Sequence, residues 1–318
     1  MYHKTEQEIM KSWGDSIEQP VISICCATYN HEPYIAEAID SFLMQKTDFP
    51  FEIIIRDDAS TDATSEIVRD YVQRYPRIIR PIIEQENQFK KGIRPSHVWP
   101  SLAKGELVAL CEGDDFWTAP DKLQKQVELL QKHPEAVMSV AQTNLCKQEE
   151  DGLIFVRTYE GNEKVLQGFE EIKSSYFHTS TYVIRKQLLS EVISKYFTGH
   201  GLFGDTALRS ILITYGPFVF LPEVVSVYRQ TGNGIWSSLN RERQLQWEID
   251  VAEKLTDILD GVHKKHQQVR LYGLYRTKFF GALKAGQIKV CMRLTPSVLR
   301  YGVMKIPSYL KGRLKGLA

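Results

Sequence analysis

Cysteine is scarce in this 318-residue chain and poorly placed for cross-linking. Cys25, Cys26, Cys111, Cys146 and Cys291 are odd in number, sit mostly in apolar runs and form no C-x-x-C pair. That pattern argues against a disulfide scaffold or a zinc module and fits a reducing cytosol. Long apolar runs are also missing; none approaches the ~18 residues a membrane-crossing helix needs. The first twenty residues are polar and carry Glu6, Glu8, Asp15 and Glu18, so no secretory signal is expected. No strand is followed by G-x-G-x-x-G or G-x-x-x-x-G-K-[ST], which removes the main support for a dinucleotide-binding or P-loop protein. Neither internal repeats nor low-complexity segments occur. With 43% hydrophobic and 25% charged residues the chain is neither disordered nor fibrous. The last absence is of acid. Asp260 is the final carboxylate, while residues 261–318 hold thirteen Lys and Arg, so the net charge of +1 splits into −12 for residues 1–260 and +13 beyond.

What is present, from residue 21 to about 141, is an alternation of strands and helices. Val21–Ala27, Phe51–Ile55 and Leu107–Cys111 are short β-branched or apolar runs suited to strands buried on both faces. Ile78–Ile83 reads as an edge strand because Pro81 interrupts its hydrogen bonding, and Ala136–Ala141 as a further strand. Helices are expected after Asn30 as cap, with Ile35, Ile39, Phe42 and Leu43 inward; after Ser60 or Asp62; within Pro95–Ala103; and over Pro120–Gln131. This βαβ pattern calls for an α/β fold, a mostly parallel sheet flanked by helices. The pattern loosens after residue 142, with strands expected at Ile154–Arg157, Thr181–Arg185, Phe218–Leu221 and Val224–Tyr228, and helices at Gln187–Lys195 and Asp205–Thr214. From about Asn240 the chain reads as a helical C-terminal region. The expected division is a catalytic domain over 1–240, with a nucleotide half near 20–141 and an acceptor half near 142–240, followed by a basic helical region over 241–318.

Ligands of open α/β sheets bind beyond the carboxyl ends of the strands. Three core strands here end in Thr28-Tyr29-Asn30, Asp57-Asp58 and Glu112-Gly113-Asp114-Asp115. The last string is the sharpest signal: three carboxylates within four residues repel one another unless solvated or bridged by a cation, and hard oxygen ligands suit Mg²⁺ or Mn²⁺ that also hold phosphates. Gly113 lets the backbone approach a ligand closely. A plain acidic turn is the competing interpretation. Asp57 and Asp58 fit either a strand-to-helix turn or a pair in which one carboxylate accepts from a base N–H while the other orders the loop. Tyr29 suits stacking on a flat ring.

These residues resemble the nucleotide-sugar-dependent glycosyltransferases of family 2, which have the GT-A fold. PVISICCATYNHEPYI, IIIRDDASTD and LVALCEGDDFWTAPDKL carry the likeness. HTST (His178–Thr181), FGD (Phe203–Asp205) and SVYRQTGNGIWS (Ser226–Ser237) are similar to a bacterial branch concerned with surface polysaccharides. The resemblance spans about residues 5–240. It implies that Thr28, Tyr29 and Asp58 hold the base, with Asn30 and Asp57 beside them, and that Asn87 borders the nucleotide. It places Glu112, Asp114 and Asp115 in the D-x-D region, Glu112 replacing the usual Asp, with Asp114 on the ribose side and Asp115, with or without Asp114, on the metal. Asp205 matches the general base; plain N-capping of a helix is its other reading. Tyr228-Arg229-Gln230 matches a segment that often reads Tyr-Arg-x-His, so a histidine contact is missing unless His178 or His200 supplies it. His178, Thr179, Ser180, Tyr228, Arg229, Trp117 and Trp236 are candidates for the sugar or acceptor pocket, although aromatic residues at such places are commonly core. The Gln-x-x-Arg-Trp motif of processive synthases is absent.

The expected activity is therefore inverting transfer from a nucleotide-diphosphate sugar, UDP-linked, to a saccharide or lipid-linked hydroxyl, with Mn²⁺ or Mg²⁺ as cofactor. A nucleotidyltransferase with a similar carboxylate site, or a non-catalytic nucleotide- or saccharide-binding protein, are the alternatives. The basic segment 261–318, in which Lys and Arg interleave with Phe, Leu and Tyr, fits an anionic membrane surface or packing on the acidic body. Nucleic acid is not expected, since no recognition motif accompanies the charge. The anticipated location is cytoplasmic, peripheral at the inner face of the cell membrane.

Overall fold

A computed structural model describes residues 4–14, 19–147, 153–155, 162–172, 177–198, 204–231, 234, 236 and 238–303. The chain forms two compact units, residues 1–231 and 232–318. In the first unit the described strands are β1 (Ile22–Thr28), β2 (Phe51–Asp57), β3 (Ile79–Ile83), β4 (Leu107–Leu110), β5 (Phe116–Trp117), β6 (Met138–Lys147), β7 (Leu153–Phe155), β8 (Lys164–Leu166), β9 (Val183–Arg185) and β10 (Phe218–Gln230). They make one ten-stranded sheet in the order β3-β2-β1-β4-β9-β6-β10-β5, with β7 on β6 and β8 on β10. The alternation expected before residue 142 gives the parallel half: β3, β2, β1 and β4 all run the same way. Beyond β4 the sheet is mixed, because β9 inserts antiparallel between β4 and β6, while β10 runs parallel to β6. β3 is the edge on one side, where Pro81 costs no ladder bond.

The helices of this unit are α1 (Glu6–Met10), α2 (Ile35–Leu43), α3 (Thr64–Arg74), α4 (Pro95–Leu102), α5 (Lys122–Lys132), α6 (Phe169–Ile172), α7 (Lys186–Val192) and α8 (Asp205–Leu212). α7 runs on into a π-helical turn, Ile193–Phe197. Ile22, Ile24, Ile53 and Ile55 of the strands bury fully against Ile35, Ile39 and Phe42 of α2 and Val68 of α3. Each such side chain contributes about 1.5–3 kcal/mol relative to exposure. Several boundaries differ from expectation for local reasons. Asn30 does not cap α2: its φ is +53°, a one-turn segment intervenes, and the helix begins at Ile35. Asp62 does receive the Thr64 N–H at 3.0 Å at the start of α3. The two strands expected around Pro222 are one long β10 whose pairing with β6 slips between Leu221 and Ser226, as proline at a bulge allows. The strand expected over Thr181–Arg185 begins with a 3₁₀ turn, Thr179–Thr181. Of the expected strand at Ile154–Arg157, residues 156 and 157 lie outside the described residues.

The second unit contains α9 (Arg241–Ile258), capped by the Asn240 side chain accepting from Arg243 N–H at 2.9 Å, α10 (Gly261–Lys284) and α11 (Ile288–Val303). Leu245, Ile249 and Ala252 of α9 pack with Leu271 and Tyr275 of α10 and Tyr301 of α11 into a core of its own. No helix among the described residues is long and apolar enough to cross a membrane.

One core residue is out of character. Lys122 opens α5 fully buried, its Nζ 4.0 Å from the centroid of the Trp117 ring and without a hydrogen-bond partner among the described residues. Burial pushes the ammonium down from 10.5 to about 7. Between those values the unfolded chain holds a proton that the folded chain has released. The contribution of Lys122 to stability therefore rises with pH across that window and is lost as pH falls through 7. Lys122→Met is expected to lack this slope, so that the difference in unfolding free energy between the two proteins changes by up to about 1.4 kcal/mol per pH unit, measured by denaturant titration from pH 7 to 10. Parallel curves for the two proteins would contradict this.

Candidate functional site

The register of the parallel strands creates the site. Thr28 pairs with Asp57 across β1 and β2, and Cys25 with Leu110 across β1 and β4, so three chain segments leave the sheet at one edge: Thr28–Asn30, Asp57–Asp58 and Cys111–Asp115. Gly113 is required there, but by the protein itself. A Cβ at this position would lie 2.7 Å from Thr28 Oγ1 and 2.8 Å from Thr28 Cβ, while Gly113 N–H donates to Ala27 O at 2.8 Å. The acidic loop thus lies directly on the end of β1, and the close approach expected toward a ligand is an approach to Thr28.

The first two segments are ordered by their own side chains. Asp57 accepts from Ser60 N–H at 3.1 Å and from the Ser60 and Ser65 hydroxyls, which fixes the β2–α3 turn. Asp58 accepts from Gln88 N–H at 2.7 Å and Phe89 N–H at 3.0 Å, and Asn87 Nδ2 donates to the Asp58 carbonyl at 3.3 Å. Asn30 accepts from Thr61 N–H at 2.8 Å, joining the two loops. Against this frame the Tyr29 ring is exposed, and Thr28 Oγ1 is buried with no hydrogen-bond partner among the described residues.

The acidic loop is more strained electrostatically. Burial first, then the Asp114 charge and that of Asp205, push the Glu112 carboxyl up to about 8. Glu112 Oε2 is buried without a hydrogen-bond partner among the described residues. Asp115 is fully enclosed and pushed well above the carboxylate range by burial and by Asp114 and Glu112. Its Oδ1 accepts from Arg229 N–H at 2.9 Å, and its Oδ2 lies 3.6 Å from His178 Nδ1. That second contact is not an ion pair, since burial holds His178 down to about 4 and Nδ1 faces the Ser180 N–H at 3.3 Å. From His178 a chain of buried hydroxyls runs inward: Ser180 donates to Ser226 at 2.9 Å, and Ser226 to Thr143 at 2.9 Å.

Among the described residues no group of three His, Cys, Asp or Glu side chains is arranged to enclose a metal. The loop fits a cation differently, as one or two carboxylates completed by phosphate oxygens, the usual binding of Mg²⁺. The unpartnered Glu112 oxygen and the upward push on Glu112 and Asp115 are what a positive charge there would relieve.

Asp205 opens α8 behind Gly204, whose φ is +90°, and its Oδ1 accepts from Thr206 N–H at 2.7 Å. Gly204, not Asp205, is the N-cap residue and no side chain caps this helix, while the Asp205 charge bears on Glu112, His178 and Tyr228. Four pocket candidates have partners within the fold. Trp117 is buried edge-on to Phe42, its Nε1 donating to Ser180 O at 2.8 Å, so it shows no face to a sugar. Ser180 is fully buried in the hydroxyl chain. Tyr228 stacks on His178 with centroids 4.2 Å apart. Arg229 donates from one guanidinium nitrogen to Asp114 O at 3.0 Å and from another to Glu37 of α2, and lies over the Phe116 ring at 4.3 Å. Thr179 stays half-exposed beside His178. Trp236 belongs to the second unit and lies edge-on to Trp247. His200 and Phe203 lie outside the described residues. Two participants were missed. His31 places Nε2 3.8 Å from Asp114 Oδ2, and its position directly after Thr28-Tyr29-Asn30 was the available signal. Glu37 gave none, because only the tertiary fold brings α2 to β10.

Arg229 is thus a clamp across the acidic loop. Arg229→Met is expected to lower stability by about 1.5–3 kcal/mol, and Arg229→Lys, which lacks the planar fork, to recover only part of that loss. Denaturant unfolding reads the effect; wild-type stability in Arg229→Met would contradict the clamp.

Comparison with known proteins accords with this arrangement. Residues 23–193 match Glycosyl transferase family 2. An uncharacterised Mycobacterium tuberculosis protein is 35% identical over 262 residues, covering 79% of this chain and 72% of the relative. A Bacillus subtilis protein named as a glycosyltransferase, EpsE, is 36% identical over 114 residues, 36% of this chain and 40% of that protein. In structure, S. aureus TarS in complex with UDP-GlcNAc superposes with a TM-score of 0.62 at 19% identity over 88% of this chain and 79% of that one. A mannosyltransferase from Pyrobaculum calidifontis in complex with GDP-Man and Mn²⁺ gives 0.54 at 19% identity over 98% and 87%. The fold is that of the GT-A glycosyltransferases, and the chain belongs to glycosyl transferase family 2.

Proposed function

We propose that the protein is an inverting glycosyltransferase that moves a sugar from a UDP-sugar to a hydroxyl of a saccharide or lipid-linked acceptor in bacterial surface polysaccharide synthesis, at the inner face of the cell membrane. The observation that carries the reading is the convergence, at one sheet edge, of an exposed Tyr29, the Asp58 loop and an acidic loop in which Asp115 is buried and a Glu112 oxygen has no hydrogen-bond partner among the described residues. The likeness to a UDP-GlcNAc complex and to a GDP-Man and Mn²⁺ complex supports a nucleotide-sugar donor and a divalent cation.

In this reading Tyr29 stacks on the base, and Asp58, whose oxygens each keep a lone pair beyond the loop N–H groups, accepts from a base N–H. Asp114, the less buried of the two aspartates, faces the ribose, and Asp115 with Asp114 holds Mn²⁺ or Mg²⁺. A cation held by these residues would neutralise the charge that grows on the departing diphosphate. Arg229 and Gly113 keep the loop in place, and the neutral His178 lines it without adding charge. Asp205 takes the proton from the acceptor hydroxyl as that oxygen attacks the anomeric carbon from the face opposite the leaving group.

Asp205→Asn is expected to lower kcat by about 10²–10⁴-fold with donor affinity retained. UDP with Mn²⁺ is expected to raise Tm, and the Asp114→Ala, Asp115→Ala double variant to lose that gain. Release of pyrophosphate from a nucleoside triphosphate would point to nucleotidyl transfer instead. Preference for GDP over UDP would overturn the donor assignment, and wild-type turnover in Asp205→Asn would overturn the base.

A further inference from the structure

The described chain has ten strongly exposed large apolar side chains, and seven of them lie within residues 262–299 of the second unit. On α11 they form a line: Ile288, Met292 and Leu299 are 63%, 68% and 60% exposed. At about 100° of rotation per residue, these three fall within about 40° of one another on the helix. Lys289, Arg293 and Arg300, all exposed, fall in a second line about 100° away on average. Cys291, Leu294, Val298 and Tyr301 occupy the opposite side and pack inward. α11 therefore has three faces: one in the core, one apolar and bare, one basic and bare. The helix before it ends the same way, with Phe280 and Leu283 exposed at 51% and 52% beside Arg276 and Lys284.

We infer that α11 and the end of α10 dock on an anionic lipid bilayer. An ordinary solvated helix does not keep an apolar line bare along about 16 Å of its length, from 288 to 299. The charge identifies the occupant. No Asp or Glu occurs in residues 261–318, so the face attracts a uniformly negative surface and offers no acidic group to a mixed protein interface. A bilayer surface supplies both layers the helix requires, headgroup phosphates for the Lys and Arg line and the acyl boundary for Ile288, Met292 and Leu299. Since no described helix crosses a membrane, the attachment is interfacial. The inference is independent of the transferase site and would bring the enzyme to a lipid-linked acceptor.

The test is co-sedimentation of the full chain, without donor or acceptor, with phosphatidylcholine vesicles that contain or lack phosphatidylglycerol. Binding is expected only with phosphatidylglycerol and is expected to fall as salt rises. Met292→Asp with Leu299→Asp, and separately Lys289→Glu with Arg293→Glu, are each expected to weaken it about tenfold or more, at unchanged circular dichroism and unchanged donor hydrolysis. No binding, equal binding to neutral vesicles, or full binding by both variants would overturn the inference. So would loss of dimerisation in the apolar variant, measured by light scattering, with vesicle binding intact. Because donor hydrolysis is read separately, failure here leaves the transferase reading standing, and failure of hydrolysis leaves this one.

Discussion

Three carboxyl groups held within four residues at a buried sheet edge are costly in any protein, and the first unit is organised around that cost. Asp115 is enclosed and Glu112 is half-buried, and each is driven toward its neutral form by burial and by Asp114. A folded chain retains such a cluster when something outside it lowers the energy, and the natural candidate is a divalent cation with the phosphate oxygens it brings along. Among the described residues, His31 places Nε2 3.8 Å from Asp114, burial holds the His178 imidazole down, and Arg229 directs its guanidinium at a carbonyl and at Glu37.

Backbone hydrogen bonds and packing hold the loop. Gly113 lets the loop lie on Thr28, the Arg229 N–H fixes one oxygen of Asp115, and Trp117 anchors the following strand to Ser180 and Phe42. β10 makes this possible. Its slip at Pro222 re-aims the strand, and its antiparallel pairing with β5 through Ser226–Trp117 and Val227–Phe116 sets Tyr228 and Arg229 opposite the acidic loop.

Much of this was legible in the residues alone, for physical reasons. Buried parallel strands such as Phe51–Ile55 announce themselves as β-branched runs, and the rule that ligands meet strand ends then picks out Tyr29, Asp58 and Glu112–Asp115 before any coordinates. What failed was local. Asn30 looks like a helix cap but has φ of +53° and joins two loops, a role that depends on Thr61, thirty-one residues away. Trp117 reads as a pocket residue because aromatic side chains serve sugars well, yet it is buried against Phe42 and Ser180. Sequence spacing carries no trace of the Glu37 pairing. The antiparallel β9 was also hidden, since three residues cannot declare their direction.

The central claim is that this loop is completed by one divalent ion shared with a nucleoside diphosphate. Anomalous diffraction from crystals grown with UDP and Mn²⁺ tests it most directly. The account predicts a single strong Mn²⁺ peak at coordination distance from an oxygen of Asp114 or Asp115, with the base against Tyr29. A peak elsewhere, or UDP seated with no Mn²⁺ beside Glu112–Asp115, would contradict it.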